Sequence, residues 1–515
     1  MKQARWLASL LLLSVAGSVI AKDARLWIHD GRLTAAAVQL LAELAHADER
    51  GLLPSDYDAV GLQLHAQQAT EAGGTALEHF DSELSRAATR LVTDLHHGRI
   101  SPASLGYDLD LKHPPFNAAN AVRGLASSAD VAATLSSVEP QLRHYALLKS
   151  ALARYRALDA THRDLVRLPP LPRPHVRLGE GYVGTPALRR LLVAVGDAAA
   201  ERGVTAADTL DADVVAALQR FQARHGLEPD GILGRETFRA LTTPFSARVQ
   251  QIALSLERIR WLPSPLTSPP IIVNIPQFRL FAFRTLEDSA QDILQMDVIV
   301  GDAFRARRTP VFAADMQYVV LQPYWDVPRS ILLKELLPDI RKRPGWLESH
   351  RYEIVRGHGD NASPVPPTAE NIDLLARGAL RLRQRPGTSN ALGHVKFMFP
   401  NKHDVYLHDT PARELFRRSR RAFSHGCIRV SDPMALLAYV MRADPSWTIE
   451  ARDRALALDT PTRISLTHHI PVFILYGTAL ATEAGTVLFF DDLYGEDAPL
   501  LAQIAARSAW VRKNP

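Results

Sequence analysis

The stretch Ser424-His425-Gly426-Cys427-Ile428-Arg429-Val430 contains the only cysteine of this 515-residue chain, and it decides how the chain is interpreted. A thiol becomes a nucleophile only as the thiolate, which requires a nearby base or a local positive field. His425 lies two residues before the cysteine, and His408 ends a predicted strand at Tyr406-Leu407. Gly426 leaves backbone N–H groups unobstructed, as an oxyanion hole requires. The pattern indicates a cysteine nucleophile with a histidine base.

An alternative interpretation of Cys427 is a buried structural cysteine, because cysteine is often buried. The loop before it would then be a solvated basic segment. That loop carries Arg417, Arg418, Arg420 and Arg421. The nearby histidines, the arginines as a local positive field and the export signal described below favour the nucleophile.

Length and composition restrict the classes of protein. At about 150 residues per domain, the length predicts about three domains. A chain with 47% hydrophobic and 22% charged residues can bury ordinary globular cores, which argues against wholesale disorder, collagen-like repeats and a small disulfide scaffold. One cysteine excludes an intrachain disulfide and a multi-cysteine zinc site. The net charge of +5 is mild and does not by itself indicate a nucleic-acid partner.

The first residues predict an export signal. Lys2 and Arg5 form a basic start, Trp6 to Ala16 is almost wholly apolar, and Val19-Ile20-Ala21 offers a signal peptidase site. The apolar run is short for a membrane span of about 20 residues. We therefore predict a signal peptide over residues 1–21, with an uncleaved anchor as the alternative.

Residues 24–165 predict a helical scaffold domain, because apolar side chains recur at helical spacing. These are Leu77, Phe80, Leu84, Leu91 and Leu95 in one segment, and Leu142, Tyr145, Leu152 and Tyr155 in another. Residues 166–187 form a proline-containing linker that ends in Gly179-Glu180-Gly181-Tyr182-Val183-Gly184. That string matches the dinucleotide-binding pattern GxGxxG, but prolines precede it and no second strand follows, so we predict a turn.

Residues 188–241 predict a compact helical module. Val214, Leu218 and Phe221 share one helix face, and Gly226-Leu227 ends that helix before a turn at Pro229-Asp230-Gly231. The run from residue 218 to residue 234 resembles the small three-helix peptidoglycan-binding module. The resemblance implies binding to the cell wall or, where such modules are degenerate, a spacer.

Residues 244–515 contain strand-like runs rich in apolar and β-branched residues, which predict a β-rich domain. The runs are Ile271–Ile275, Arg279–Phe283, Met296–Val300, Gln317–Leu321, Val395–Phe399 and Val405–Leu407, with Val472–Tyr476 and Thr486–Phe490 expected to complete the sheet. A helical, proline-containing insertion at about 328–382 interrupts the strands, and insertions of that length are often lids. The expected fold class is multidomain α+β.

The motif around Cys427 resembles a known family. His408, followed after fifteen residues by Ser424-His425-Gly426-Cys427-Ile428-Arg429, is similar to the L,D-transpeptidase (YkuD) catalytic domain. Further segments match its long periplasmic subfamily, which carries a scaffold domain and a peptidoglycan-binding module. They are Tyr324–Pro328, Arg383–Gly387, Val395–Asn401, Tyr406–Pro411 and Gly51–Tyr57. One departure is Asp409, where shorter relatives have a small residue. The resemblance implies a periplasmic location.

The resemblance also implies a role for each matching residue. Cys427 would attack the carbonyl of the third residue of a donor tetrapeptide stem, with His408 as general base and later as acid toward the departing D-alanine. Asp409 would hold the imidazole through its backbone carbonyl. The other candidates are Gly426 and Tyr406 for the oxyanion, together with the Cys427 amide; His425 for the turn or the intermediate; Arg429 for a substrate carboxylate or an ion pair with Asp432; and Ser424 and Trp325 for the substrate.

The reaction implied is peptidoglycan cross-linking through a thioester acyl-enzyme. The acyl group would pass to the side-chain amine of another stem's diamino acid, giving a 3→3 cross-link, or to water, as in a carboxypeptidase. The resemblance also implies acylation of Cys427 by carbapenems, and neither a metal nor another cofactor is expected. The alternatives are another cysteine hydrolase of wall peptides and a non-enzymatic wall-anchoring protein. The acceptor, the lid state, the oligomeric state and any partner enzymes of wall synthesis stay open.

Overall fold

The computed structural model describes residues 25–109, 111–199, 208–289 and 291–513. The predicted signal peptide, at residues 1–21, lies outside these ranges. Within them, no helix combines the length and the apolar character needed to cross a bilayer. The buried apolar side chains of the described residues form four cores, two of them helical, one along the main sheet and one in the insertion.

The N-terminal domain is an assembly of helices, as the apolar spacing predicts. Its elements are β1 (Ile28–His29), β2 (Arg32–Leu33), α1 (Ala35–Ala45), α2 (Ala59–Ala72), α3 (Gly74–His97), α4 (Ala118–Ala126), α5 (Val131–Val138) and α6 (Arg143–Thr161). Helix α3 buries the whole predicted stripe from Leu77 to Leu95, because residues three, four and seven apart share one helix face. Helix α6 instead packs its apolar face into a second core, which it shares with the next module.

The described residues of the second module form three helices, as predicted. Its elements are β3 (His175–Val176), α7 (Thr185–Val195), α8 (Ala212–Arg224), β4 (Leu233–Gly234) and α9 (Arg235–Leu241). Helix α8 begins after Asp211, whose side chain accepts the Val214 N–H at 3.0 Å. The predicted linker is packed against this module, since Val176 and Tyr182 are buried in its core. The glycine string forms the predicted turn, held by the Gly179 N–H to the Leu210 carbonyl.

The C-terminal half contains the main sheet. After α10 (Phe245–Ile259) come β5 (Ile271–Asn274), β6 (Arg279–Ala282), β7 (Leu294–Gly301), β8 (Phe312–Leu321), β9 (Trp325–Asp326), α11 (Arg329–Ile331), α12 (Leu337–Lys342), α13 (Trp346–Ser349), β10 (Tyr352–Arg356), β11 (Ser363–Val365), α14 (Ala369–Arg377), β12 (Arg381–Gln384), β13 (Val395–Met398), β14 (Leu407–His408), β15 (Ala422–Ser424), β16 (Ile428–Val430), α15 (Pro433–Val440), α16 (Ile449–Leu456), β17 (Thr462–Leu475), β18 (Ala479–Ala481), β19 (Val487–Phe489) and α17 (Asp497–Lys513).

The main sheet has the strand order β15-β7-β16-β14-β13-β8-β17-β5-β6, and β6 pairs with β7 so that the sheet closes on itself. The strands predicted before residue 476 all belong to it. The prediction for Thr486–Phe490 is wrong, because β18 and β19 form a separate hairpin. That hairpin does not join the main sheet. It buries Val487 and Phe489 in the apolar core of the second module.

The insertion was expected to be helical and to span about residues 328–382. In the structure it spans residues 325–384 and contains a second sheet as well as helices. Its strand order is β11-β10-β12-β9, and a π-helical turn at Leu332–Leu336 separates α11 from α12. The short strands β10 and β12 contain several charged or polar residues beside few apolar ones, so their sequence does not stand out as strand. The insertion has a core of its own. Its two ends meet where the Val327 N–H donates to the Leu382 carbonyl at 2.9 Å.

A buried charge cluster fixes the N-terminal domain against the main sheet. Glu257 of α10 is fully buried and pairs with Arg99 and Arg260. Burial alone would raise the pKa of Glu257, but the two guanidinium charges lower it below its ordinary value. The same carboxylate accepts the Ile100 N–H at 3.0 Å. The cluster thus connects residues 99–100 of the N-terminal domain with α10, which precedes the main sheet.

Candidate active site

The parallel pair β14–β16 places the candidate residues together. Leu407 pairs with Ile428, and both side chains are fully buried in the core of the main sheet. Because successive side chains of a strand point to opposite faces, the neighbours of these two residues lie on the other face. We call this the polar face, and it carries Tyr406, His408, Cys427 and Arg429. Strand β13 adds Lys396, which pairs with His408 across the sheet.

His408 is buried and held in one tautomer. Its side chain is 4% exposed, and Nδ1 lies 2.5 Å from the carbonyl oxygen of Asp409. A carbonyl only accepts hydrogen bonds, so Nδ1 carries the proton and Nε2 is the basic nitrogen. Burial and the charges of Arg429 and Lys396 lower the pKa of His408 to about 3, although the Asp409 hydrogen bond acts in the opposite direction. The imidazole is therefore neutral at physiological pH.

The surroundings of Cys427 favour the protonated thiol over the thiolate. Burial raises its pKa above the ordinary value, while the backbone and hydroxyl of Tyr406 and the charge of Lys396 oppose the shift. The thiol donates to the carbonyl oxygen of Asp404, with Sγ 3.7 Å away. In the basic loop before Cys427, Arg421 is buried and pairs with Asp297 at 2.9 Å rather than with the thiol.

The turn before Cys427 is fixed by hydrogen bonds that occupy two of the predicted site residues. Ser424 Oγ donates to the Cys427 carbonyl at 2.5 Å and accepts the Gly426 N–H at 3.1 Å. Thr309 Oγ1 donates to the Gly426 carbonyl at 2.7 Å. Gly426 has φ +123°, a conformation that residues with a Cβ rarely adopt. Ser424 thus contacts the turn, and the Gly426 N–H is already engaged.

Arg429 lies on the polar face and forms no ion pair with another described residue. Its Nε is buried and has no hydrogen-bond partner among the described residues. The alternative ion pair with Asp432 is not formed, because the Asp432 carboxylate instead accepts the Ala435 N–H at 3.0 Å and caps α15. Burial lowers the pKa of Arg429, and the nearby Cys427 and Glu414 act in the opposite direction.

The insertion touches the turn through His425. Its Nε2 lies 2.9 Å from Glu335 Oε1, and Arg307 Nη2 lies 3.5 Å from the same oxygen. Trp325 packs into the core of the insertion, with its ring centroid 6.2 Å from that of Tyr352. The structure therefore joins His425 to the insertion and gives Trp325 a packing role there.

Three functional neighbours were not predicted. Lys396 Nζ lies 3.9 Å from the ring centroid of Tyr406, and its place between the apolar Val395 and Phe397 could have predicted a position opposite the core. The other two unpredicted neighbours are Glu335 and Asp404, for which the local sequence carries no signal. The pKa of Tyr406 lies well above its ordinary value, because burial and then Cys427 raise it.

Three family models match this chain. The model of the "L,D-transpeptidase catalytic domain" matches residues 269–450, the "Scaffold domain" matches residues 21–152, and the "Putative peptidoglycan binding domain" matches residues 185–241. A curated "Putative L,D-transpeptidase" of Haemophilus influenzae is 34% identical over 278 residues. That alignment covers 53% of this chain and about half, 54%, of the relative.

Two solved structures were also matched. One is an L,D-transpeptidase from Xylanimonas cellulosilytica, with 14% identity and a TM-score of 0.17, covering 60% of this chain and 100% of that chain. The other is a fused zinc-dependent amidase, peptidase and peptidoglycan-binding protein from Clostridium acetobutylicum, with 12% identity, a TM-score of 0.14 and coverage of 59% and 100%. TM-scores this low support no conclusion about this chain from either structure. On the family matches, residues 269–450 belong to the L,D-transpeptidase catalytic domain family, and the chain joins this domain to a scaffold domain and a peptidoglycan-binding domain.

Proposed function

We propose that this protein is a cysteine-dependent L,D-transpeptidase that forms 3→3 cross-links in peptidoglycan and releases D-alanine from tetrapeptide stems. The observation that carries the proposal is the polar face, where a tautomer-fixed neutral histidine accompanies the only thiol of the chain. A nucleophile with a base that a third group orients is the arrangement that covalent acyl transfer requires. The match to the catalytic domain family covers His408 and Cys427 and supports the same reaction.

The resting protonation states define how acylation begins. The Cys427 thiol is protonated and the His408 imidazole is neutral. As the donor carbonyl approaches, the thiol proton passes to Nε2 and Sγ forms the bond to the carbonyl carbon. The Asp409 carbonyl, which accepts from Nδ1, stabilises the imidazolium that results. The imidazolium then protonates the amine of the leaving D-alanine, and the thioester remains on Cys427.

The oxyanion of this step needs hydrogen-bond donors. The Cys427 amide and the Tyr406 hydroxyl are the candidates, since the Gly426 N–H already donates to Ser424. One such donor is typically worth about 3 kcal/mol of transition-state stabilisation. Arg429 would bind a stem carboxylate, because its fork matches carboxylate geometry and its Nε has no partner among the residues described. The oxyanion donors and Arg429 would together orient the donor stem over the thiol.

The insertion is proposed to act as a lid in the second half of the reaction. The thioester must meet an amine of another stem while water is excluded. The contact between Glu335 and His425 places the insertion beside the nucleophile turn. Because the Val327 N–H and the Leu382 carbonyl are 2.9 Å apart, residues 328–381 can be replaced by a short glycine-serine linker. This variant is expected to hydrolyse more and cross-link less, and an unchanged ratio would refute the lid.

The test of the reaction is mass spectrometry of muropeptides. Peptidoglycan rich in tetrapeptide stems is incubated with the wild type, with Cys427→Ala and with Cys427→Ser. New 3→3 dimers and free D-alanine in the wild type alone are expected. Shortened monomers without dimers would instead indicate a wall-peptide hydrolase. If no sample contains a product but the protein still binds the sacculus, the result would instead indicate a wall-anchoring protein.

Location and inhibition form the remaining part of the proposal. We propose export to the periplasm with cleavage after Ala21, where the module at 188–241 would bind the wall and enzymes of wall synthesis would supply donors. The mature N-terminus, read by mass spectrometry, should then be Lys22, and an intact Met1 would indicate the uncleaved anchor. A carbapenem is expected to add its mass to the wild type and not to Cys427→Ala, because the chain has one cysteine.

A further inference from the structure

The scaffold domain reaches into the main sheet through Asp108. The backbone of this residue forms a parallel bridge with Phe312, the first residue of β8. Its N–H donates to the Val311 carbonyl at 3.0 Å, and its carbonyl accepts the Ala313 N–H at 3.1 Å. These two hydrogen bonds fix the backbone of Asp108 and therefore the position from which its side chain extends.

The Asp108 carboxylate forms an ion pair with Lys402, in the loop between β13 and β14, and lies beside His403 of the same loop, whose buried Nε2 has no hydrogen-bond partner among the described residues. Lys402 Nζ lies 2.9 Å from Oδ1, and His403 Nε2 lies 3.3 Å from Oδ2. The His403 ring also packs on Phe312, with 5.2 Å between the ring centroids. A residue of the scaffold domain therefore anchors this loop from outside the catalytic domain.

The anchored loop contacts the thiol. Asn401 closes it into a tight turn, donating to the Val405 carbonyl at 2.8 Å and accepting the His403 N–H at 3.0 Å. Asp404 has φ +54°, an uncommon conformation for a residue other than glycine, and its carbonyl accepts the Cys427 thiol. Tyr406 follows two residues later, and its backbone and hydroxyl lower the pKa of Cys427. A displacement at residues 402–403 would thus reach the thiol through a short, rigid turn.

We propose that Asp108 is a positioning residue for Cys427, so that the scaffold domain sets the reactivity of the nucleophile. The inference deepens the proposed function, but thiol reactivity can be measured without any peptidoglycan. Asp108 acts through Lys402, His403 and the turn that they anchor. Its loss frees this turn, and the Tyr406 amide then loses its alignment with Sγ.

The experiment is alkylation of Cys427 by iodoacetamide, followed by intact-protein mass spectrometry from pH 6 to pH 10. In Asp108→Ala, we expect the inflection of the rate profile to move to higher pH and the rate at pH 8 to fall at least threefold. Lys402→Met removes the same ion pair from a side chain that is 67% exposed, so it should fold normally and reproduce the shift. The matched control is Gln503→Ala, which removes the Ser104 contacts of the same scaffold segment.

The outcomes separate this inference from the proposed function. A wild-type alkylation profile in folded Asp108→Ala or Lys402→Met would overturn the positioning role, whatever the muropeptides show. An equal shift in Gln503→Ala would also overturn it, because the effect would then come from domain docking in general. A shift confined to the two loop variants supports it even where no cross-links form.

Discussion

Replacing Arg429 with methionine is expected to stabilise the folded protein while it impairs acylation of Cys427. Arg429 lies on the polar face with its Nε buried and without a hydrogen-bond partner among the described residues. The fold desolvates part of a cation, and no residue in the described part of the chain forms an ion pair with it in return. An unbranched apolar side chain of similar length removes that unfavourable contribution and keeps the packing of the stem.

The size of both effects follows from the burial of this guanidinium and from the hydrogen bonds that it can make. A buried donor without a partner costs about 1–3 kcal/mol. Because Arg429 is only half-buried, we expect the lower end, about 1 kcal/mol, which raises the melting temperature of a domain of this size by about 2–4 °C. A hydrogen bond to a charged group contributes about 1.5–3 kcal/mol, so losing the substrate carboxylate should lower acylation efficiency about 10- to 150-fold.

The assay pairs calorimetry with single-turnover acylation by a donor tetrapeptide, followed as the mass of the acyl-enzyme. Arg429→Lys is the control, because it keeps the charge and loses the fork. It should acylate at an intermediate rate and gain little stability. A melting temperature several degrees lower in Arg429→Met would refute the reasoning, since it would mean that Arg429 has a structural partner. Unchanged acylation would remove its proposed contact with substrate.

Three other measurable quantities depend on charges in the chain. Because burial raises the pKa of Cys427, alkylation of the wild type should be slow at pH 7 and still rise at pH 9, whereas a plateau at pH 7 would mean a preformed thiolate. Glu335→Gln removes the charge that pairs with Arg307 and weakens the contact with His425, together worth up to about 1 kcal/mol, so hydrolysis relative to cross-linking should rise up to about fivefold; Glu348→Gln, which breaks a pair elsewhere in the insertion, should leave the ratio unchanged. Buried His225 has a pKa well below its ordinary value, first through desolvation. Only the unfolded chain then binds this proton below pH 6.5, so stability should fall with falling pH by up to about 1.4 kcal/mol per unit in urea titrations, and a His225→Phe variant with the same slope would contradict the assignment.

Features carried by short sequence patterns could be predicted. Most strands of the main sheet follow from apolar, β-branched runs, although β15 and β16 were not predicted, and the stripe on α3 follows from helical spacing. The composition of one cysteine with two nearby histidines identified the part of the chain where the polar face lies. In these cases the deciding interactions lie within a few residues, so local sequence is enough.

Features set by distant partners could not be predicted. The hairpin β18–β19 has the composition of a main-sheet strand, yet it packs on a module more than 200 residues earlier in the chain. Neither the hydrogen bond of Glu335 with His425 nor the ion pair of Asp108 with Lys402 has a local signal. The occupied Gly426 N–H depends on the rotamer of Ser424. Tertiary packing decides each of these.

The charge of Arg429 links substrate binding to the strength of the base. That charge is one cause of the low pKa of His408, second to burial. A bound carboxylate offsets the charge, so the pKa of His408 should rise toward its ordinary value only when the donor is in place. Arg429→Met removes the same charge permanently. We therefore expect its KM to rise by most of the loss in efficiency while kcat changes little, and an equal fall of kcat and kcat/KM would contradict this coupling.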